Sequence, residues 1–370
     1  MSLGIAGMGW VTPLGNDVSD TWNRLLGRET SPLGEISDPG KISYNVFRIP
    51  EDAFQKMGSH PRLRRASAIS RFAAAAGLAA IQDAGITLEP AVLKRIALVV
   101  AIANGGVIYT KRFYRDIVAS GADGASPLLF PETVFNAAGS HLAAILGITG
   151  RSYTLVGDGT VGLLAIRMAE DLMTNDALDY CLVVGAEEAD WLLCDAYRKW
   201  RLLRSVPPIE LFREPPRGTI LSEGAGAILI GRDAPIRIDA TAAGTNYSER
   251  SEAREGLTGV LARLKTADCH LVISSANGTF VDQAESDALS KVLPQATVYA
   301  PKVALGEGVG AACFWQVIIG AKILRTKKMP PSLHDASGNS ILSPTNIDYH
   351  SALVVSCGLN QQIAGLRLSL

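Results

Sequence analysis

The sequence predicts a layered α/β fold in which most strands run parallel. Apolar runs that are too short for helices alternate with alanine-rich stretches whose apolar residues recur at helical spacing. Hydrophobic residues make up 48% of the 370 residues and charged residues 19%, which is typical of a compact globular chain.

The predicted elements follow one another along the whole chain. The opening MSLGIAGMGWVTPLG is apolar, lacks a cationic leader and is interrupted by glycine and proline, so it predicts a strand entering a turn rather than a signal peptide. Strands are predicted at 96–101, 153–156, 180–184, 270–273 and 352–355, and helices at 71–84, 161–174 and 309–324. The stretches 205–216 and 327–345 are predicted loops.

The second half of the chain loosely repeats the first. SYTLVGDGTVGLLAIRMAEDLM and the following DYCLVVGAEE resemble ATVYAPKVALGEGVGAACFWQVIIGAKIL and the following YHSALVVSCG. Each is a strand, a glycine-acid-glycine turn, a small-residue helix and another buried strand, and IALVVAIANGG likewise echoes HLVISSANGT. Two similar halves, 1–232 and 233–370, are the simplest interpretation.

Charge and cysteine content argue against several classes of function. A formal net charge of -1 makes nucleic acid an improbable partner, and no stretch approaches the roughly 20 apolar residues of a membrane span. The five cysteines are scattered and show no CxxC spacing, which favours a reducing compartment and disfavours zinc. We therefore expect a cytoplasmic protein with no metal, no cofactor and no membrane or nucleic-acid partner.

The turn GDGTVG at 157–162 admits two interpretations. It fits G-x-G-x-x-G between a strand and a helix, as a nicotinamide dinucleotide site requires, with Glu187 roughly where a ribose-binding acid falls. This signal is weak, because glycine is abundant at tight strand-to-helix turns. In the structural interpretation Gly157 and Gly159 permit a sharp turn, and Asp158 caps the following helix.

Several motifs in the same order resemble the β-ketoacyl synthases of the thiolase-like superfamily over nearly the whole chain. They are IAGMGWVTPLGND, FAAAAGLAAIQDAGI, FPETVFNAAGSHLAAILGITGRSYTLV, DYCLVVGAEE and TILSEGAGAILI. The resemblance implies a thiolase-like fold: two similar halves with mixed, mostly parallel five-stranded sheets in an αβαβα arrangement of layers.

The resemblance also implies that the catalytic positions have changed. Active members keep a nucleophilic cysteine at the turn between strand and helix, and the aligned residue here is Gly159. The two histidines that assist decarboxylation align with Asn277 in SANGT and Glu307 in KVALGEGVGAA, while the family's lysine is retained as Lys302. An ionised Glu307 would repel the developing enolate, so we expect no condensation by this chain itself.

A glycine-rich gate near the C-terminus of the family is replaced here by SCGLNQQ. Leu359, Asn360 and Gln361 are larger than the glycines of that gate. We expect them to stiffen the loop or refill the space over the site, which suits a closed pocket.

The resemblance favours a non-condensing partner subunit, similar to the chain-length factors of type II polyketide and aryl-polyene systems. Such a subunit pairs with a catalytically intact ketosynthase and serves its acyl carrier protein through the complex. In the family the two subunits join through the strand before the nucleophile, here Ser152, Tyr153, Thr154, Leu155 and Val156. Candidates for the partner's acyl-tunnel wall are Phe130, Phe135 and Asn136, for which ordinary packing is an equally good interpretation.

A second interpretation is an enzyme that keeps the fold and changes the chemistry. Glu307 or Asp158 would then act as general acid or base on an acyl thioester. Burial can raise a carboxyl pKa into a useful range, so the residues themselves leave both interpretations open.

Overall fold

A ten-stranded mixed sheet and two central helices form the framework of the molecule. The computed structural model describes residues 2–57, 59–174, 177–244, 246–264, 266, 268–333 and 348–370. Its strands are β1 Leu3–Val11, β2 Leu33–Ser37, β3 Ser43–Phe47, β4 Ile96–Ile102, β5 Ser152–Val156, β6 Tyr180–Glu187, β7 Gly224–Arg232, β8 Ile236–Ala243, β9 Leu271–Ile273, β10 Thr297–Tyr299, β11 Ser351–Cys357 and β12 Ile363–Ser369. Its helices are α1 Val18–Leu26, α2 Glu51–Met57, α3 Ala68–Ala84, α4 Pro90–Leu93, α5 Val107–Ser120, α6 Ala137–Leu146, α7 Val161–Met173, α8 Trp191–Lys199, α9 Arg250–Arg263, α10 Val281–Val292, α11 Lys302–Leu305 and α12 Ala312–Thr326.

Both halves of the chain contribute five strands in the same spatial order. The order is β5-β4-β6-β7-β1 in the first half and β10-β9-β11-β12-β8 in the second. In each half the fourth strand in this order, β7 or β12, runs antiparallel to both of its neighbours. The other four strands of the half run in the same direction as one another. The halves meet where β1 pairs with β8. The two segments of each sequence repeat occupy equivalent strands, and the mixed, mostly parallel α/β fold is confirmed.

Two helices pack between strands of the two halves, and other helices cover the outer faces. Helices α7 and α12 contact each other and strands from both halves, whereas α3 and α6 pack on the first half and α9 on the second. Strand β4 contributes side chains to the hydrophobic core on both faces of the sheet. Leu98 and Val100 pack in the outer core, and Val99 and Ala101 pack in the central core. Alternate side chains of a strand point to opposite faces, so a wholly apolar strand here joins both layers.

The boundaries of the predicted elements differ from the observed ones in a few places. Strand β6 extends to Glu187, and α3 begins at Ala68, after Ser67 accepts a hydrogen bond from the Ser70 NH. Helix α12 begins at Ala312, so the predicted helix start at residue 309 was wrong. Val309 has a φ of 39°, which is incompatible with a right-handed helix.

The remaining expectations concern loops, cysteines and membrane spans. Residues 205–216 and 327–333 contain no helix or strand, and 334–347 lie outside the described residues. All five cysteines are buried and unpaired. Within the described ranges, every helix is too short or too polar to cross a bilayer.

Candidate functional site

The turn between β5 and α7 is shaped by close packing at Gly157. A Cβ at Gly157 would lie 2.7 Å from Gln362 Oε1 and 3.1 Å from Val161 Cβ, so a larger residue would displace the Gln362 side chain. Asp158 Oδ1 accepts a hydrogen bond of 2.9 Å from the NH of Thr160, which is itself the N-cap residue of α7. Asp158 therefore precedes the cap position, and the prediction that it caps the helix was wrong. The turn is therefore set by its first two residues.

Asp158 also fastens this turn to the C-terminal loop. Its Oδ2 accepts hydrogen bonds from the NH groups of Asn360, at 3.1 Å, and Gln362, at 3.4 Å. A Cβ at Gly358 would lie 1.9 Å from the same oxygen, so glycine is needed for this contact. Burial raises the pKa of Asp158 to about 6, against the lowering effect of these NH donors.

Glu307 is the centre of a buried polar network beside this turn. Its Oε2 accepts hydrogen bonds from Lys302 Nζ at 2.6 Å and Asn277 Nδ2 at 2.7 Å. Its Oε1 accepts one from the Val309 NH at 3.0 Å. The side chains of Lys302 and Glu307 are only 5% and 3% exposed, so the ion pair is shielded from water. The structure thus brings together the three residues that sequence comparison had singled out at positions 277, 302 and 307.

The orientation of Asn277 follows from its other hydrogen bonds. Asn277 Oδ1 accepts hydrogen bonds from the hydroxyl group of Thr279, at 2.6 Å, and from its NH, at 3.1 Å. The amide oxygen is therefore engaged, and Nδ2 is the atom that faces Glu307. Burial lowers the pKa of Lys302, but the charge and hydrogen bond of Glu307 outweigh it and leave that pKa above its usual value.

Gly159 differs from its neighbouring glycines because it does not need to be glycine. Its φ lies outside the left-handed region, and an added Cβ would have one neighbour within 4 Å, Glu307 Oε1 at 3.9 Å. Gly162, in contrast, would place a Cβ 2.7 Å from Cys313. A side chain at position 159 would therefore extend towards a carboxylate.

Two thiols lie near Gly159 that the sequence spacing did not reveal. Cys313 Sγ donates a hydrogen bond of 2.9 Å to the Gly159 carbonyl, and Cys357 lines the adjoining cavity. Burial raises the pKa of Cys313 to about 11. Burial also raises the pKa of Cys357, and the charges of Glu285 and Asp158 act in the same direction. Both thiols are therefore protonated at neutral pH and are poor nucleophiles.

A cavity of about 900 Å³ adjoins these groups. Its polar lining includes Asp158, Asn277 and Glu307, and its apolar lining includes Leu192 and Phe280. Leu359, Asn360 and Gln361 form part of its wall. Of the two alternatives expected for these residues, refilling of the space is not observed. The hydrogen bonds that their loop donates to Asp158 fit the other alternative, a stiffened loop.

The predicted tunnel-wall residues lie in the segment before helix α6 and are not part of the cavity wall. Phe130, Phe135 and Asn136 are exposed and do not line the cavity. The Phe135 ring packs on Gly105, where a Cβ would be 2.8 Å from ring atom Cδ1 and where φ is +64°. Strand β5 is the outermost strand on this side, with Tyr153 and Val156 exposed.

Glu187, the candidate for a ribose-binding acid, does not line the cavity. Glu187 is fully buried, and its Oε2 accepts hydrogen bonds from the NH groups of Ala103 and Asn104 at 3.2 and 3.3 Å, so it presents no carboxylate to a ribose. In the part of the chain that the structure describes, no three His, Cys, Asp or Glu side chains are placed to hold a metal ion.

Two family models match the sequence along most of the chain. Residues 2–235 match the model for the β-ketoacyl synthase N-terminal domain, and residues 236–335 match that for the C-terminal domain. The 3-oxoacyl-[acyl-carrier-protein] synthase 2 of Vibrio cholerae is 24% identical over 363 residues, covering 89% of this chain and 87% of the relative.

Solved structures show the same fold. A chain of the ishigamide ketosynthase/chain length factor superposes with a TM-score of 0.87 at 18% identity, covering 100% of this chain and 98% of that one. A chain of AntDE:AntF, a type II PKS acyl-carrier protein in complex with its ketosynthase bound to the hexaketide, gives 0.83 at 15% identity, covering 100% and 99%. The chain described here belongs to the β-ketoacyl synthase family.

Proposed function

We propose that this chain is a non-condensing, chain-length-factor-type subunit that pairs with a catalytically intact β-ketoacyl synthase and shapes its acyl tunnel. The observation that carries the proposal is the buried Glu307–Lys302 pair beside Gly159, with Asn277 bound to the same carboxylate. No acyl-enzyme can form on glycine, and a fixed carboxylate opposes the negative charge that decarboxylation develops.

The exposed end of the sheet supports a partner. Tyr153 and Val156 on edge strand β5 are 39% and 51% exposed, and Phe130 and Phe135, before helix α6, are 55% and 48% exposed. An edge strand with exposed apolar side chains is a ready surface for pairing with another chain. Similarity to a ketosynthase/chain length factor agrees with a ketosynthase partner, and similarity to a ketosynthase bound to its acyl-carrier protein agrees with a role for that protein.

Copurification tests the proposal. We expect tagged chain from its native host to retain a ketosynthase that has the cysteine and both histidines, together with an acyl carrier protein. Tyr153→Asp should release the ketosynthase, because it places a charge on the edge strand. Leu78→Asp is the matched control, since Leu78 is equally 39% exposed but lies on helix α3. A stable homodimer with no ketosynthase bound, or equal loss in both variants, would contradict the pairing.

Gly159→Cys is expected to leave the isolated chain unable to condense acyl and malonyl thioesters. The new thiol would extend towards Glu307 Oε1, and that carboxylate disfavours formation of the thiolate. The measurement is product formation from acyl- and malonyl-loaded carrier protein, with an intact ketosynthase as positive control. Condensation by this variant would show that Asn277 and Glu307 do not block the reaction.

Phe135→Ala is expected to lengthen the products of the two-subunit complex. Phe135 is our candidate for the wall at the end of the partner's tunnel, and its truncation would enlarge that space. Mass spectrometry of carrier-bound products measures the change. Unaltered product length in a complex that still assembles would remove Phe135 from this role.

An enzyme with altered acyl-thioester chemistry is the second candidate, because Asp158 and Glu307 both line the cavity. Each carboxylate is, however, engaged by several donors, including Lys302 in the case of Glu307. Turnover of an acyl or malonyl thioester by the isolated chain, lost in Glu307→Gln, would establish this candidate over the first.

A further inference from the structure

The base of the cavity has room for the end of a ligand at Gly159. Among the described residues, a Cβ at this position would meet only Glu307 Oε1, at 3.9 Å, whereas a Cβ at Gly157 or Gly162 would collide with neighbouring atoms at 2.7 Å. Gly159 lies on the cavity wall with Asp158 and Asn277. Glycine at position 159 therefore lets a bound molecule approach the Glu307 carboxylate.

Glu307 Oε1 retains capacity to accept a hydrogen bond. A carboxylate oxygen can accept about two hydrogen bonds. Within the described residues, Oε2 takes two, from Asn277 and Lys302, and Oε1 takes one, from the Val309 NH. Glu307 is 3% exposed and lines the cavity, so any further donor must come from within the cavity.

The charges around this point favour a donor over an anion. Lys302 balances Glu307, which leaves Asp158 and Arg250 on the same cavity wall. The Arg250 guanidinium lies over the Phe280 ring, 4.3 Å from its centroid, whereas Asp158 directly precedes Gly159 in the chain. Burial raises the pKa of Tyr197, another wall residue, and the charges of Glu307, Glu187 and Asp158 raise it further. A carboxylate placed here would be repelled, and a hydroxyl or ammonium group would not.

We propose that the cavity binds an apolar chain that ends in a hydrogen-bond donor, an alcohol or a primary ammonium group. The end group lies over Gly159 and donates to Glu307 Oε1. The chain lies against apolar wall residues such as Leu192, Leu193, Phe280 and Leu359. This assignment does not depend on the partner subunit, since every group involved belongs to this chain.

Binding of three six-carbon probes to the purified full chain at pH 7.5 tests the assignment. Hexan-1-amine and hexan-1-ol are each expected to bind at least about fivefold more tightly than hexanoate, measured by ligand-observed NMR titration. Glu307→Gln is expected to weaken amine binding by about tenfold. Gly159→Leu is expected to abolish the preference by filling the end of the cavity while changing neither Lys302 nor Glu307. Glu255→Gln changes an exposed glutamate and should leave all three affinities unaltered.

Three results would contradict the ligand assignment. Hexanoate binding as tightly as hexan-1-ol would overturn the assignment, as would undetectable binding of all three probes. A preference that survives Gly159→Leu would place the ligand elsewhere. Because Gly159→Leu changes neither Lys302 nor Glu307, it provides a second test if Glu307→Gln is too unstable to titrate.

Discussion

Replacing Glu307 with alanine is expected to lower the free energy of unfolding by about 3–5 kcal/mol. The substitution leaves the Lys302 ammonium group buried, at 5% exposure, without its partner at 2.6 Å. It also removes the acceptor used by Asn277 Nδ2 and the Val309 NH. Chemical denaturation at pH 7.5 measures the change.

An exposed ion pair of the same length provides the matched control. Arg95 and Asp179 are also separated by 2.6 Å, but their side chains are 44% and 43% exposed. Asp179→Ala should cost no more than about 1 kcal/mol, because water solvates both charges whether or not they are paired. Burial, rather than distance, is thus predicted to set the cost.

Combining Glu307→Ala with Lys302→Met tests whether the two residues act as a pair. Lys302→Met removes the charge that Glu307→Ala leaves uncompensated. The double variant is therefore expected to be more stable than the sum of the single losses implies, with a coupling energy of about 2 kcal/mol. Additive losses would contradict the account of Lys302 and Glu307 as one unit.

Much of the fold was predictable because buried strands and helices carry local signals. The strand at 96–101 is a continuous apolar run, and it forms β4 between two layers of core. The start of α12 was not predictable from local composition. Val309 follows a glycine and donates its NH to Glu307, and this contact accompanies a positive φ that delays the helix.

The site was predictable as a set of positions but not as an arrangement. Positions 159, 277, 302 and 307 followed from motifs, whereas the hydrogen bonds between them depend on loops from both halves of the chain. Cys313 was missed because sequence distance from Gly159 conceals a 2.9 Å hydrogen bond across the central helices. The open cavity was missed because Asp158 holds the 358–362 loop, and residue size in that loop gives no sign of it.

Raising the pH from 5 to 8.5 is expected to lower the stability of the chain, and Glu188 should account for a large part of the loss. Burial raises the pKa of Glu188 to about 8, and the charges of Glu223, Asp190 and Glu187 act in the same direction. Among the described residues, no donor is within hydrogen-bond distance of Glu188 Oε2. The folded chain therefore holds a proton that the unfolded chain releases above about pH 4.5.

The sign of the pH effect follows from this difference in proton binding. Stability from the protonated Glu188 carboxyl is complete below the unfolded pKa and is lost as the pH rises through the folded pKa of about 8. One pKa unit corresponds to about 1.4 kcal/mol, so we expect a loss on the order of 3 kcal/mol. For a chain of this length that corresponds to a fall of roughly 4 °C in the thermal midpoint.

Glu188→Gln should flatten this pH dependence, because glutamine keeps the shape of the side chain and cannot ionise. The variant is expected to match the natural chain near pH 5 and to exceed its thermal midpoint at pH 8.5. Glu255→Gln, at an exposed position, should follow the natural chain at every pH. If Glu188→Gln and Glu255→Gln follow the same curve, the carboxyl of Glu188 is ionised in the folded chain throughout this range, and the neighbouring carboxylates must be stabilised by other means.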